Sequence, residues 1–221
     1  MQSVRVRSVV VWAALAAALT IPVMIASASP LLAWRDPVYI TAGLAGVVAL
    51  GLLLLQPLLA DGYLPGLRMR AGRQWHAWVG CGLVVAVTVH VAALWLTSPP
   101  DVIDALLFRS PTSFSVWGVA AMWAVFASAL LAATRRRLRL IVWRLCHITL
   151  AVVIVVGSVV HAMLIDGTMG AFSKAALCVL VLAASAKVVA SRPFLSDTRR
   201  IASRNGRQAA AHAAVHGRLE R

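Results

Sequence analysis

The sequence predicts an all-α fold: a polytopic membrane six-helix bundle with both termini cytoplasmic. Three observations lead there. The chain is 61% hydrophobic and only 13% charged, where soluble domains average about 45–50% and about 25%; mean hydropathy is +0.86. Six apolar runs, near 8–27, 38–57, 76–96, 113–134, 146–165 and 172–190, approach the roughly 20 residues a helix needs to cross hydrocarbon. Finally, of the 21 Lys and Arg only Arg35, Arg109 and Lys174 fall outside the N-terminus, the second and fourth loops and the C-terminal region with Lys187. That alternation is the positive-inside pattern, and it puts those basic segments in the cytoplasm.

The first run lies in "MQSVRVRSVVVWAALAAALTIPVMIASASP". Its basic start, apolar middle and small-residue end match a signal peptide, but residues 9–26 outrun the usual apolar core of about 7–15 residues. A retained helix is the expectation, so residues 1–37 form a first helix and an outer loop. Cleavage would leave five spans in unchanged orientation. The second run follows "SASPLLAWRDP" and the third follows "QPLLADGYLPGLRMRAGR". The fourth comes after "TSPPDVIDALLFRSPTS", the fifth after the arginine-rich "TRRRLRLIVWR" and the sixth after the short "DGTMG". Pro, Gly, Asp and Ser mark turns in these connections. Trp34, Trp75, Trp95, Trp117 and Trp143 lie near span ends, where amphipathic rings favour the headgroup level. Residues 38–190 form the core, and 191–221 a basic cytoplasmic tail.

A net charge of +14 raises the possibility of nucleic acid, but the charge is distributed as orientation signals and lipid contacts rather than as one binding face. Membrane lipid is the expected partner and nucleic acid is not. Cys81, Cys146 and Cys178 are odd in number and lack CxxC spacing, so neither a disulfide framework nor a zinc site is indicated. They read as small buried thiols.

Chemistry enters with the histidines. "GRQWHAWVGCGLVVAVTVHVAAL" (72–94) carries His76 and His90, and "WRLCHITLAVVIVVGSVVHAML" (143–164) carries His147 and His161. An ionisable residue inside a span is a functional-site hypothesis by default; the plainer alternative is a hydrogen bond between helices. Fourteen residues of helix rise about 21 Å and return to within about 40° of the same face. Both helices run from cytoplasm to exterior. His76 and His147 therefore share the inner level, and His90 and His161 the outer one. Bare metals usually gather three or four protein ligands, whereas a haem brings four nitrogens and needs only axial ones, and helical bundles hold cofactors between facing helices. Two b-type haems follow as the expectation, with His76/His147 on the inner iron and His90/His161 on the outer. No CxxCH is present for covalent attachment. Gly80, Gly82, Ala86, Gly157 and Ser158 leave room beside these histidines.

At "GRQWHAWVG" with His90 following, and "VWRLCHITL" with His161 following, the chain resembles the ferric reductase-like transmembrane domain family. That family includes ferric reductases, NADPH oxidases and the haem-binding membrane subunit of the periplasmic methionine sulfoxide reductase system. The likeness covers residues 38–190 and implies the same ligand pairs. Full-length ferric reductases and NADPH oxidases continue into flavin- and nicotinamide-binding domains. Here about thirty residues follow Lys187, with no GxGxxG, so no dedicated flavin domain is expected in this chain. The expected donor is a separate cytoplasmic flavoprotein reductase or a quinol. The expected acceptor lies outside: ferric iron, oxygen or a periplasmic oxidoreductase. The expected location is the bacterial inner (cell) membrane.

Arg73 and Arg144 each precede an inner histidine by three residues, within reach of haem propionates through the planar guanidinium. The other arginines of the two basic loops serve orientation and anionic lipid or an acidic donor protein. His212 and His216 in "HAAVH" share one face if helical, though an interfacial or disordered tail is the simpler reading. Trp123, at mid-span with Phe126 one turn on, is a candidate bridge between the haems, with packing as the plainer role. Two alternatives stay open: a quinone-linked cytochrome b, and a haem-free transporter or structural protein whose histidines join helices.

Overall fold

The computed structural model describes residues 2–191; His212, His216 and the rest of the basic tail lie outside the described residues. The helices are α1 (Gln2–Ser27), α2 (Pro37–Ala60), α3 (Met69–Thr97), α4 (Pro99–Leu106), α5 (Ser113–Ala133), α6 (Leu140–Leu164) and α7 (Ala171–Ser191), and the described residues contain no strand. All except α4 are long and apolar enough to cross a membrane, six in total. The fold is all-α and multi-pass, as the composition predicts.

Local chemistry sets several boundaries. Asp36 caps α2 by accepting a 2.7 Å hydrogen bond from the Val38 amide, and Pro37 takes the first helical position, where its missing N–H costs nothing. Gly62 (φ 71°) and Gly66 (φ 80°) turn the chain between α2 and α3, in a region that side-chain-bearing residues disfavour.

Four elements depart from expectation. α1 begins at Gln2, ahead of the apolar run expected from about residue 8. α3 and α6 begin at Met69 and Leu140, about two turns before the apolar runs at 76 and 146. Arg70, Arg73 and Arg144 therefore stand on helices, not in loops. Helix formation does not require an apolar run, and long arginine stems can keep their charged ends in water from a helix end. "TRRRLRLIVWR" is accordingly a short 3-10 turn, Arg135–Arg137, followed by the start of α6. The outer connection after α3 also folds, into the short α4, with prolines at its first positions and Val102 buried.

The packing is organised as two helical hairpins. α2 packs along α3 and α5 along α6, α1 lies against α2, and α3 and α6 meet only sparsely. Small residues draw the hairpins together, as is usual where helices associate by close packing in lipid. A Cβ on Gly72 would stand 2.8 Å from the Leu59 carbonyl oxygen, and one on Gly157 would stand 3.0 Å from the Trp117 oxygen. Leu50, Leu53, Leu83, Val125, Ile154 and Leu177 belong to a shared apolar core. Among the described residues no polar or charged residue is fully buried, while Val85, Leu130 and Val179 are more than half exposed, as suits a surface facing lipid tails. Residues 2–185 form one compact unit, and the helical residues 186–191 fall outside it.

Candidate functional site

The four histidines stand ring to ring in two pairs. His76 and His147 have ring centroids 6.2 Å apart with planes at 76°; His90 and His161 have centroids 6.4 Å apart with planes at 85°. In each pair one ring comes from α3 and the other from α6, helices that each pack chiefly on the other helix of their own hairpin.

Each ring is oriented from within its own hairpin. His90 Nδ1 lies 2.7 Å from the Ala42 carbonyl oxygen of α2, and His76 Nδ1 lies 3.0 Å from that of Gln56. On the other hairpin, His161 Nδ1 lies 2.8 Å from the Phe114 carbonyl oxygen of α5, and His147 Nδ1 lies 3.3 Å from Ser128 Oγ. A carbonyl oxygen only accepts, so in three of the four Nδ1 carries the proton and donates. That tautomer puts the lone pair on Nε2, the ring's other nitrogen. Fixing the tautomer and orientation of a ligating histidine through its second nitrogen is the usual support for a metal ligand.

Glycine makes two of these contacts possible. A helical carbonyl already accepts from the amide four residues on, so a second donor must approach over that residue. For Ala42 and Phe114 that residue is Gly46 and Gly118. A Cβ on Gly46 would lie 3.1 Å from His90 Nδ1, and one on Gly118 only 2.5 Å from His161 Nδ1. Gly46 and Gly118 thus form the floors of two sockets for the His90/His161 rings.

These partners, Ala42, Gln56, Phe114 and Ser128 with the two glycines, are positions beside the histidines that the sequence reading misses. They follow a repeat. His147 and His161 lie 71 residues beyond His76 and His90, and Phe114, Gly118 and Ser128 lie 72 beyond Ala42, Gly46 and Gln56. The hairpin α2–α3 is therefore repeated as α5–α6, with the same fourteen-residue spacing on both helices of each. Comparing the two spans that precede the histidine helices would have revealed the paired glycines.

The residues fit haem. Two imidazoles bound in line to one metal, at about 2.0 Å per bond and with ring centres about 1.1 Å behind each nitrogen, place their centroids about 6.2 Å apart. Both observed pairs are within a few tenths of an ångström of that. Among the described residues no group of three or more His, Cys, Asp or Glu side chains converges to hold an ion, so each pair offers only two ligands, the number an axial set needs.

Of the other candidates, Arg73 and Arg144 are exposed on α3 and α6, one turn before His76 and His147. They occupy equivalent positions, 71 residues apart. Trp123 is 55% exposed and meets Phe126 edge-on at 6.1 Å. At about 100° per residue it points opposite the α5 face that carries Gly118 and Ser128, so it does not stand between the pairs. Gly80 packs beside Gln56, where a Cβ would lie 3.6 Å from its Nε2, and Gly82 beside Leu52; both serve the α2–α3 contact. Cys81 and Cys146 are exposed on their helices, and Cys178 is buried.

Residues 42–158, just over half of the chain, match the family model described as ferric reductase like transmembrane component. The match contains His76, His90 and His147, and His161 lies one turn past its end. No curated protein matches the chain, and neither does any solved structure.

Proposed function

We propose that this chain, which belongs to the ferric reductase-like transmembrane component family, performs that family's transmembrane electron transfer through two bis-histidine b-type haems stacked across the bilayer. The observation that carries this reading is the geometry of the four rings. Each is fixed at Nδ1 by its own hairpin and meets its partner from the other hairpin at the separation of an axial pair.

His76 and His147 hold the inner haem and His90 and His161 the outer, about 21 Å apart along the helices. Bound there, haem supplies a one-electron iron couple. The chain supplies what the cofactor lacks: two imidazoles at each level, and four second contacts that keep the rings from turning. Arg73 and Arg144 stand at the inner level as partners for propionate carboxylates, where a guanidinium offers paired donors. The positive-inside count puts the arginine-rich loops and both termini in the cytoplasm. The donor, a separate flavoprotein or a quinol, acts at that side, and ferric iron, oxygen or a periplasmic oxidoreductase accepts outside. Location in a bacterial inner membrane follows from the same reading.

The haem-free alternative explains less. Interhelical side-chain hydrogen bonds in membranes contribute about 0.6 kcal/mol on average, and here they act within each hairpin. They give no reason for four rings to meet in pairs across the hairpins.

The test is transfer across a sealed membrane. Vesicles containing the haem-loaded protein and entrapped ferricyanide receive external dithionite. Bleaching of the trapped ferricyanide should accelerate at least tenfold over protein-free vesicles. Equal rates in the two preparations would overturn the proposal.

A further inference from the structure

His147 is held by more than its Nδ1 contact. Trp143, one turn earlier on α6, lays its indole on the imidazole, with centroids 5.2 Å apart and planes 8° from parallel. Arg135, in the 3-10 turn before α6, places its guanidinium carbon 4.8 Å from the Trp143 ring centre. The indole Nε1 is buried and makes no hydrogen bond, so the ring is placed by what packs on its faces. The nearest counterpart among the other ligands is Phe114, which meets His161 edge-on at 5.8 Å and 68°.

The repeat sharpens the contrast. The position equivalent to Trp143, 71 residues earlier, is Gly72. There a Cβ would lie 2.8 Å from the Leu59 backbone oxygen, so no aromatic ring can stand beside His76 in the same way. His147 thus carries a stacked aromatic with a cation beyond it.

We propose that Trp143 and Arg135 are positioning residues for the His76/His147 haem: Trp143 fixes the plane of the His147 ring, and Arg135 raises the midpoint potential of that haem above the value it would otherwise have. The inference rests on the two-haem reading above. A flat stack opposes rotation of the imidazole, and the 76° between the two ring planes depends on that restraint. A fixed positive charge close to an axial ligand favours the reduced iron, which carries one positive charge fewer. Cation–π attraction holds the Arg135 charge over the Trp143 face, so that it stays near the ligand rather than extending into water.

The test uses purified, haem-loaded protein and compares wild type with Trp143→Ala, Trp143→Phe and Arg135→Gln. Two readouts are recorded: the midpoint potential of each haem and the low-spin ferric electron paramagnetic resonance of each. The inner signals are those that survive in His90→Ala. Nearly perpendicular axial rings give strongly anisotropic ferric signals, so any reorientation of His147 registers as a shift in the largest g value. Trp143→Ala should shift or broaden the inner signal, Trp143→Phe should restore it, and Arg135→Gln should lower the inner potential, all with the outer haem unchanged. An inner haem with wild-type signal and potential in both Trp143→Ala and Arg135→Gln would overturn the inference while leaving the two-haem reading intact. A wild-type protein that takes up no haem would overturn both.

Discussion

Replacing His90 by alanine should remove one haem of two, stop transfer to the outer face and leave the protein inserted. The loss is large because an axial ligand has no substitute: among the described residues no third such side chain joins the His90/His161 pair. The cost to the bundle is small. The variant gives up one hydrogen bond from His90 Nδ1 to the Ala42 carbonyl, about 0.6 kcal/mol on average and at most about 1.7 for such contacts. Haem per polypeptide should fall from two to one, and ferricyanide bleaching in the vesicle assay to the protein-free rate. Both haems retained in His90→Ala would disprove the ligand assignment.

Gly118→Ala should weaken the same haem without touching a ligand. The new methyl would stand 2.5 Å from His161 Nδ1 and 2.7 Å from Cε1, far inside van der Waals contact. The ring cannot retreat and also keep its 2.8 Å bond to the Phe114 oxygen, so it loses its orientation. Disturbing the group that orients a metal ligand typically weakens metal affinity about 10–100-fold, and outer-haem affinity should fall by that much. Gly46→Ala should act in the same direction but less, since its Cβ would lie 3.1 Å from His90 Nδ1, a distance that a few tenths of an ångström relieve. Haem titration of the detergent-purified variants measures both, with the inner haem as internal reference. Wild-type outer affinity in Gly118→Ala would show that the glycine floor does not position His161.

The fold was legible because a membrane simplifies the problem. Runs of about 20 apolar residues admit only a helix, and α2, α5 and α7 fall within a few residues of their expected bounds. The early starts of α3 and α6 were not legible, because "RMRAGR" and "RLRLIV" break the apolar pattern while still permitting a helix. The four histidines were visible as polar exceptions with a repeated spacing. Their orienting partners were not, because Ala42, Gln56 and Phe114 act through backbone carbonyls, which every residue possesses. Gly46 and Gly118 look like any small residue of a packed span until the helix pairing shows which ring lies over them. Trp143 reads as an interfacial tryptophan, and its stack on His147 emerges only once α6 is known to begin at Leu140.

The central claim is that two haems are bound, one between each histidine pair. It is tested most directly by the dithionite-reduced minus oxidised visible spectrum of the purified protein, with haem quantified per polypeptide. The account predicts a b-type spectrum with close to two haems per chain. A folded, membrane-inserted protein that stays colourless when haem is supplied would contradict it.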